Sequence, residues 1–378
     1  MITVTTVQTH KQRKAFINFP LKLYKGNKYF VPCFYGDEMN VLKRKSPYED
    51  VTESEFFLAY DGKKVVGRIQ AIIQKQYNEK WNEKRVRFTR FDAIDDLNVS
   101  RALFDAVEKW AKDKGMDTIC GPLGYSDLER EGLLIEGFDE VQTFEEQYNY
   151  PYYQKLIEDK GFVKEVDWVE SAIKLPNPSD KRIKRFEFIA QHILKKNNLT
   201  LVDTSKYSKK EFLKKYGDGF FDCITDAYSD LYGYVPFTDK TRKEVMKAFY
   251  PIIDLKEVFF IVDNNDKVVA LALVFPGVGK AVRKSNGHLY PLSIYRLIRL
   301  IKNPETVDLG LIAVGKEYRN SGITGVFVSE VAKLCSTYKK FDHFETNLNL
   351  EDNVAIRNMW NHFESREHKR RRSFVKKF

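Results

Sequence analysis

A glycine-containing segment after an apolar strand pattern is the part of the sequence best suited to bind phosphate. Residues 309–314 (LGLIAV) lead into residues 315–325, where glycines precede an apolar helical pattern. Glycines just before a helix let several backbone N–H groups point at one anion, and the helix N-terminus adds about half a positive charge. The segment has neither the Walker Gly-Lys-Ser/Thr nor the dinucleotide GxGxxG spacing. It predicts a pyrophosphate site of another kind, with a simple turn as the alternative, and Gly310 predicts a bulge or a close backbone approach.

The elements that must position this segment occur twice in the chain. Residues 55–69 and 257–271 each predict a β-hairpin, the first with an Asp-Gly turn. A strand, a helix and a strand follow in each half, and a short helix follows at nearly the same offset. In the first half these elements are 86–93, 97–114, 118–120 and 149–161; in the second they are 307–314, 325–339, 343–347 and 353–360.

The repeated order favours a duplicated α/β domain over two unrelated α/β units. Additional helices are predicted at 16–24 and 211–228, near the start of each half, and at 240–249 and 293–301 in the second half. Residues 175–180 (LPNPSD) contain two prolines and turn-forming residues, which is typical of a linker. We therefore predict two mixed-sheet α/β domains, 1–175 and 185–378, joined by a linker at 176–184.

Composition indicates a folded protein and excludes several classes. Aromatic residues make up 14% of the 378 residues, which is too apolar for a disordered chain. The apolar run at 268–275 is far shorter than the ~20 residues of a membrane span, and residues 1–14 lack an apolar signal core. The four cysteines are far apart and form no CxxC motif, so we expect reduced thiols, a cytoplasmic protein and no bound metal.

The net charge of +10 does not by itself identify a partner. The strongest basic run, residues 369–372 (KRRR), is followed by SFV and is interpreted as the solvated face of a last strand. A groove for a polyanion is the alternative. A mildly basic protein would also suit a cofactor that carries phosphates.

Two motifs in the second half resemble those of the GNAT acyltransferase superfamily. Residues 314–324 read V-x-K-x-Y-R-x-x-G-I-T, which is similar to the acetyl-CoA loop V-x-P-x-Y/W-R/Q-x-x-G-x-G/A. Asn353, Ile356 and Trp360 resemble the second cofactor motif, N-x-x-A-x-x-x-Y. The whole chain also resembles a bacterial family of paired GNAT-like domains, with landmarks at 31–32 (VP), 121–123 (GPL), 131–134 (EGLL) and 233–236 (GYVP).

The resemblance implies an acetyl-CoA or other acyl-CoA site in the second half. The strand residues would present backbone groups to the pantetheine arm, the loop would hold the pyrophosphate through its amides, and Asn353 would bond the pantetheine or the far end of the cofactor. The residues so implied are Ile312, Ala313, Val314, Arg319, Asn320, Ser321, Gly322, Ile323, Thr324 and Asn353. Thr324 stands where the family has glycine or alanine, and Gly325 is the neighbouring small residue.

The implied reaction is acyl transfer to an amine, which needs a base to take a proton from the nucleophile. Asp308 and Glu345 are predicted as bases beside the cofactor. Trp360 replaces the tyrosine that many GNAT enzymes use as an acid, and an indole cannot supply a labile proton. Tyr318 or Tyr232 is then a candidate donor. Aromatic Tyr232 and Tyr234 and loop residue His288 are predicted to wall the acceptor site, with core packing and a surface position as their alternatives.

The first half lacks the glycine loop, because residues 95–100 (DDLNVS) put carboxylates at the helix start, where pyrophosphate would be repelled. We predict that this half has lost cofactor binding and closes the substrate cleft or stabilises the pair. Three functions remain open at this point. The first is an N-acetyltransferase or N-acyltransferase for a small-molecule or peptide amine. The second is a Fem- or myristoyltransferase-like enzyme that uses aminoacyl-tRNA or a long acyl donor. The third is a CoA-binding module without catalysis. Neither the acceptor nor the oligomeric state is specified by a motif.

Overall fold

The computed structural model describes residues 1–175, 181–250, 253–360 and 362–378. The strands are β1 Ile2–Thr6, β2 Thr52–Asp61, β3 Lys64–Gln74, β4 Arg85–Ala93, β5 Thr118–Gly121, β6 Leu133–Glu136, β7 Val163–Lys174, β8 Thr200–Leu201, β9 Val258–Val262, β10 Val268–Pro276, β11 Thr306–Val314, β12 His343–Thr346, β13 Asn349–Leu350 and β14 Glu364–Lys377. The helices are α1 His10–Leu23, α2 Tyr35–Leu42, α3 Lys75–Trp81, α4 Leu97–Asp113, α5 Tyr153–Glu158, α6 Lys181–Lys196, α7 Lys209–Tyr228, α8 Asp239–Phe249, α9 Gly279–Lys284, α10 Pro291–Lys302, α11 Ile323–Ser336 and α12 Val354–Trp360.

The two predicted hairpins and the strand–helix–strand units form as the sequence pattern indicates. The β2–β3 turn contains Gly62, whose φ of +57° suits glycine. Helix α4 begins at Asp96, whose side chain accepts a hydrogen bond from the Asn98 amide, and it buries Val99, Leu103 and Val107 against the sheet. A carboxylate therefore caps this helix, as expected from the DDLNVS sequence.

The strands of both halves pair into one continuous mixed sheet. Its order is β1-β2-β3-β4-β5-β14-β7-β12-β11-β10-β9-β8, with β6 paired to β14 and β13 paired to β7. The halves meet where β7, from the first half, pairs with β12 and β13 of the second. The predicted α/β class with mixed-sheet halves is confirmed.

The last strand of the second half lies inside the sheet of the first half. Strand β14 pairs with β7 over Glu364–Val375 and with β5 over Phe374–Lys377. The interpretation of residues 369–372 as a solvated face is therefore wrong: both Lys369 and Arg371 are buried. The strand was predicted correctly, but its exposure was not. Strand β14 lies between β5 and β7, and Lys369 and Arg371 pair there with the buried Glu170.

The predicted boundary between the halves is not tested. Residues 176–180 of the proposed linker lie outside the described residues, and helix α6 begins at Lys181. Within the described ranges, the search for a helix long and apolar enough to cross a membrane found none.

Candidate functional site

The second half contains an opening between two parallel strands. Strands β11 and β12 pair from Thr306–Leu309 to His343–Thr346, and their pairing ends there while β11 continues to Val314. The Asn347 side-chain amide donates to the Gly310 carbonyl at 3.0 Å, at the point where the strands separate. Beyond this point one edge of β11 faces the gap rather than a neighbouring strand, which provides backbone groups for an extended ligand.

The floor of this opening is shaped by a β-bulge at Gly310. The register between β10 and β11 shifts from Leu273–Leu311 to Phe275–Asp308, so β11 holds one extra residue. A Cβ atom at Gly310 would lie 2.3 Å from the Phe275 ring, so only glycine fits. Both alternatives raised by this glycine in the sequence, the bulge and the close approach, are present.

The segment after β11 forms a turn that ends at the N-terminus of α11. Gly322 precedes the helix with a φ of +87°, and Asn320 has a φ of +66°. In the described ranges the amides of Gly322, Ile323 and Thr324 have no backbone or side-chain acceptor. Three free amides at one helix start form a cradle for an anion, which fits the pyrophosphate of an acyl-CoA.

Several of the predicted cofactor-binding residues have fixed positions in this turn. The Arg319 guanidinium donates to the Ala227 carbonyl at 2.9 Å, and the Ser321 hydroxyl donates to the Tyr318 carbonyl at 2.6 Å. Both side chains thus stabilise the turn, which leaves the backbone as its anion-binding part. Asn353 caps α12 by accepting from the Ile356 amide at 3.3 Å, and it lines the cavity described next.

A cavity of about 740 Å³ extends from the strand opening into the space between the two halves. This volume is in the range of sites that hold drug-sized ligands. Its second-half wall includes β11 residues and Trp360, whose buried indole N–H has no partner among the described residues. One end is apolar and is formed by Phe249, Phe275, Pro276, Val278, Leu297 and Ile301.

Acidic side chains of the first half line the same cavity. Asp127, Glu131, Glu145 and Glu146 are on its wall, and each has a buried carboxylate oxygen without a hydrogen-bond partner in the described ranges. Burial raises the pKa of Asp127 to about 6 and the pKa of Glu146 to about 8, and it raises the pKa of Glu131 well above the ordinary range. Buried carboxyl groups that titrate near neutrality are suited to proton transfer.

Glu146 lies beside Arg371, a buried cation of strand β14. Its Oε2 atom lies 3.8 Å from Nε of Arg371, which is too far for a hydrogen bond. Arg371 instead pairs with Glu170 and donates to the Gln147 carbonyl. Glu146 therefore retains a carboxylate oxygen that can accept a proton.

The predicted base Glu345 occupies a different environment. Its Oε2 atom lies 2.8 Å from Nε2 of His368 and 3.2 Å from Nζ of Lys369, and its Oε1 atom lies 3.0 Å from Nε2 of His343. Burial would raise the pKa of Glu345, but Lys369 and the histidines hold that pKa well below its ordinary value. A carboxylate held by a lysine and two histidines joins strands β12 and β14, and it is a weak proton acceptor.

The other predicted base, Asp308, lies behind the cavity wall. It is buried, and its carboxyl group faces that of Glu145, which does line the cavity. Burial and the neighbouring carboxylates raise the pKa of Asp308 well above its ordinary value. Two facing carboxyl groups of this kind share a proton.

The predicted aromatic and histidine residues divide between wall and core. Tyr232 lines the cavity, but its hydroxyl donates to Glu165 at 2.6 Å. Tyr234 is buried and bonds Thr225, as the core alternative proposed. The residues lining the cavity do not include Tyr318, which follows β11, or His288, which stacks on Tyr35 with ring centroids 4.3 Å apart.

Sequence reasoning did not identify the acidic cluster or Tyr228. The Tyr228 hydroxyl donates to the Ile312 carbonyl at 2.7 Å, and Tyr228 lines the cavity. Glu131 and Gly233 appeared only as parts of landmarks. In the structure these landmarks meet, because a Cβ atom at Gly233 would lie 3.0 Å from Glu131 Oε1. The sequence signal that could have indicated the acidic cluster was this pair of landmarks, one from each half, which meet at one cavity.

The corresponding opening of the first half is filled by its own side chains. Strands β4 and β5 pair only from Arg85–Arg87 to Thr118–Cys120. Tyr24 and Tyr153, both fully buried, place their hydroxyls 2.9 and 3.1 Å from the Asp92 carboxylate. The Ala93 amide donates to the Tyr153 hydroxyl at 3.2 Å. The end of β4 is therefore already hydrogen-bonded within the chain.

Comparisons with known proteins agree with this architecture. No protein-family model matches the chain. Protein YghO of Escherichia coli (strain K12) is 26% identical over 385 residues, which cover 99% of this chain and 95% of that protein. A bacterial ceramide synthase of Caulobacter vibrioides is 26% identical over 329 residues, which cover 85% of this chain and 82% of that protein.

A solved structure establishes the fold. A tandem GNAT protein from the clavulanic acid biosynthesis pathway, without AcCoA, matches 100% of this chain and 98% of its own at 11% identity, with a TM-score of 0.57. The order of elements, the opening between β11 and β12 and the glycine turn before α11 agree with this match. The chain therefore has the tandem GNAT fold, with two GNAT-like domains in one polypeptide.

Proposed function

We propose that the protein is an acyl-CoA-dependent N-acyltransferase whose acceptor is a long-chain amine. The observation that carries this proposal is a single cavity that joins three features: the open edge of β11, a cluster of titratable carboxyl groups and an apolar end. The similarity to a ceramide synthase supports the acceptor class, because a ceramide is the amide of a fatty acid and a long-chain amino alcohol.

The proposed donor site lies between β11 and β12. The amides of Gly322, Ile323 and Thr324 would hold the pyrophosphate, and the backbone of residues 312–314 would bind the pantetheine arm. Acyl-CoA supplies an activated acyl carbonyl when it is bound. A cavity of about 740 Å³ with an apolar end favours a longer acyl chain or acceptor over the acetyl group alone.

The acceptor site would use the carboxyl groups of the first half. An ammonium group is attracted to a cluster of carboxylates, and it must lose a proton before its nitrogen can act as a nucleophile. We assign Glu146 as the base that takes this proton, because its pKa of about 8 is near that of the conjugate acid it must accept from. Glu131 and Asp127 would position the ammonium group.

Two groups could serve the leaving side of the reaction. The unpaired indole N–H of Trp360 can donate a hydrogen bond, although it cannot transfer its proton. The hydroxyl of Tyr228 lies on the β11 side of the cavity and is our candidate for the proton donor. Removing the hydroxyl alone, as in Tyr228→Phe, tests this assignment.

The aminoacyl-tRNA alternative receives less support than it did from sequence. A basic surface would suit tRNA, but Lys369 and Arg371 of the strongest basic run are buried and paired with a carboxylate. A CoA-binding module without catalysis does not explain four buried acids with free oxygens, because such groups lower the stability of a fold and their presence calls for a functional reason.

The proposal is tested with purified protein, acyl-CoAs of increasing length and a long-chain amino alcohol. Release of free thiol and the mass of the amide product are measured together. We expect turnover that increases with acyl length and falls at least a hundredfold in Glu146→Gln, while the exposed Glu136→Gln control keeps full activity. Failure of the wild-type protein to bind any acyl-CoA would overturn the proposal.

A further inference from the structure

Residues 277–304, the α9–α10 segment, expose an unusual number of large apolar side chains. Six of the fourteen exposed large apolar side chains among the described residues lie within this segment. Their exposed fractions run from 41% to 61%, and they are Leu289, Tyr290, Leu292, Ile294, Tyr295 and Ile298. Exposed apolar side chains concentrated in one segment in this way often mark an interaction site.

The charge of the α9–α10 segment is entirely positive. It contains no aspartate or glutamate. Positive charge is therefore more concentrated here than in the whole chain, whose net charge is +10. Its six basic residues are Lys280, Arg283, Lys284, Arg296, Arg299 and Lys302. Lys280 pairs with Glu305 outside the segment, and Arg283 donates to the Lys28 carbonyl. The cations of α10 have no carboxylate partner among the described residues.

The opposite face of α10 belongs to the cavity. Ser293 is buried, and Leu297 and Ile301 line the apolar end described above. The segment is also fixed to the first half, because the Tyr35 amide donates to the Gly287 carbonyl at 2.9 Å. One helix therefore separates the apolar end of the cavity from an apolar, basic outer surface.

We propose that the α9–α10 segment docks on an anionic lipid bilayer. Apolar and aromatic side chains beside basic ones on one helix are the pattern of helices that lie in the membrane interface. Arg296, Arg299 and Lys302 would meet acidic headgroups, while Ile294, Tyr295 and Ile298 enter the acyl region. The docking stands on exposure and charge alone. A further step rests on the proposed function: the long-chain amine passes from the bilayer beside α10 into the cavity.

The test is flotation of the full-length protein with lipid vesicles and without acyl-CoA. Vesicles of phosphatidylcholine with phosphatidylglycerol are compared with vesicles of phosphatidylcholine alone, at low and high salt. We expect binding to the anionic vesicles that weakens with salt, and at least a tenfold loss in the double variant Ile294→Ser/Ile298→Ser. Arg296→Gln/Arg299→Gln should lose the preference for anionic lipid. Phe188→Ser, an exposed apolar residue of α6, is the matched control and should bind as the wild type does.

Several outcomes would overturn the docking proposal. The first is that the wild type does not bind anionic vesicles. The second is that the isoleucine double variant binds as well as the wild type at an unchanged melting temperature. The third is that the wild type is a dimer which this variant dissociates, since a second copy would then cover the surface. The two proposals fail separately. Vesicle binding without turnover contradicts only the enzyme, and turnover of the long-chain amino alcohol without vesicle binding contradicts only the docking.

Discussion

The two halves have the same strand opening and differ in what occupies it. In the first half Tyr153 and Tyr24 fill the space beside β4 and bond Asp92, and the following helix begins at a carboxylate, Asp96. In the second half the edge of β11 beyond Leu309 has no neighbouring strand, although the Asn347 and Tyr228 side chains donate to two of its carbonyls. The following helix is preceded by Gly322 and begins with free amides. The filled opening of the first half therefore leaves no room for a ligand there. The first half instead contributes acidic side chains to the cavity beside the opening of the second half.

This comparison explains why the reactive groups come from different halves. A cradle for phosphate must be electropositive, whereas a site that deprotonates an ammonium group needs carboxylates. Both cannot occupy one small opening without neutralising each other. Division between two copies of a fold separates them, and the buried ion pairs of β14 fix their distance.

The largest expected effect comes from breaking the ionic cluster of Glu170, Glu345 and Lys369, which joins β7 of the first half to β12 and β14. In Glu345→Gln, Lys369 and His368 lose a buried anionic partner, which should lower the free energy of unfolding by about 3–5 kcal/mol. The exposed Glu364→Gln, on strand β14 with Lys369 and His368, should change it by less than about 0.5 kcal/mol. Denaturant unfolding monitored by circular dichroism measures both, and equal effects would contradict the role given to the cluster.

The same cluster predicts the acid limb of stability. The pKa of Glu345 is lowered in the folded state, so its stabilising contribution is present above the unfolded pKa of about 4.3 and is lost as pH falls below it. The melting temperature of the wild type should therefore fall more steeply below that pH than that of Glu345→Gln. Parallel curves would argue against the pKa shift.

A second prediction concerns the acid that the first half contributes. Glu146→Gln should lower turnover by about 10²–10⁴-fold, because the amine loses its base. The wild-type rate should rise with pH through the pKa of about 8, since Glu146 must be ionised to accept a proton, and this rise should be absent from the residual activity of the variant. A variant that keeps the wild-type pH profile would remove Glu146 from the mechanism.

A third prediction sharpens the contrast between the helix starts. Gly322→Asp should weaken acyl-CoA binding at least tenfold, because the position has a positive φ and the new charge repels phosphate. Gly325→Ala lies in the first turn of α11, where a Cβ atom meets nothing closer than 3.9 Å, and should bind normally. Isothermal titration calorimetry measures the acyl-CoA affinity of both variants and of the wild type. Equal affinities would show that the phosphate site is not at this helix start.

The smallest expected effect tests the filled opening. Tyr153→Phe leaves Asp92 and the Ala93 amide without one partner and should lower the free energy of unfolding by about 1–3 kcal/mol. Acyl-CoA affinity should not change, because the donor site is in the other half. If affinity does change at constant stability, the first half takes part in donor binding and the contrast between the halves breaks down.

The local elements could be predicted from sequence because their determinants are local. The helix predicted at 97–114 is observed as Leu97–Asp113, and the strand predicted at 307–314 is observed as Thr306–Val314. The glycine inside that strand also predicted the bulge at Gly310. Apolar periodicity and glycine positions carry this information over a few residues.

The acid cluster and the exposure of β14 could not be predicted in this way. Glu146 becomes a candidate only because it is buried on the wall of the cavity, where its pKa is raised, and Lys369 is buried only because β14 enters the first half. Strand order depends on pairing between distant segments, which periodicity does not encode. For the same reason, the interpretation of Glu345 as a base overlooked the lysine and the two histidines around it.

Strand β14, which the second half inserts into the sheet of the first, also determines when this protein can finish folding. Strands β5 and β7 are synthesised long before β14, and until β14 arrives each presents an unpaired edge. A nascent chain is therefore exposed to pairing with other copies at this slot for most of its synthesis. A truncation before residue 364 would leave the slot open permanently, so loss of the β14 segment should direct both halves towards aggregation or towards exchange of strands between molecules.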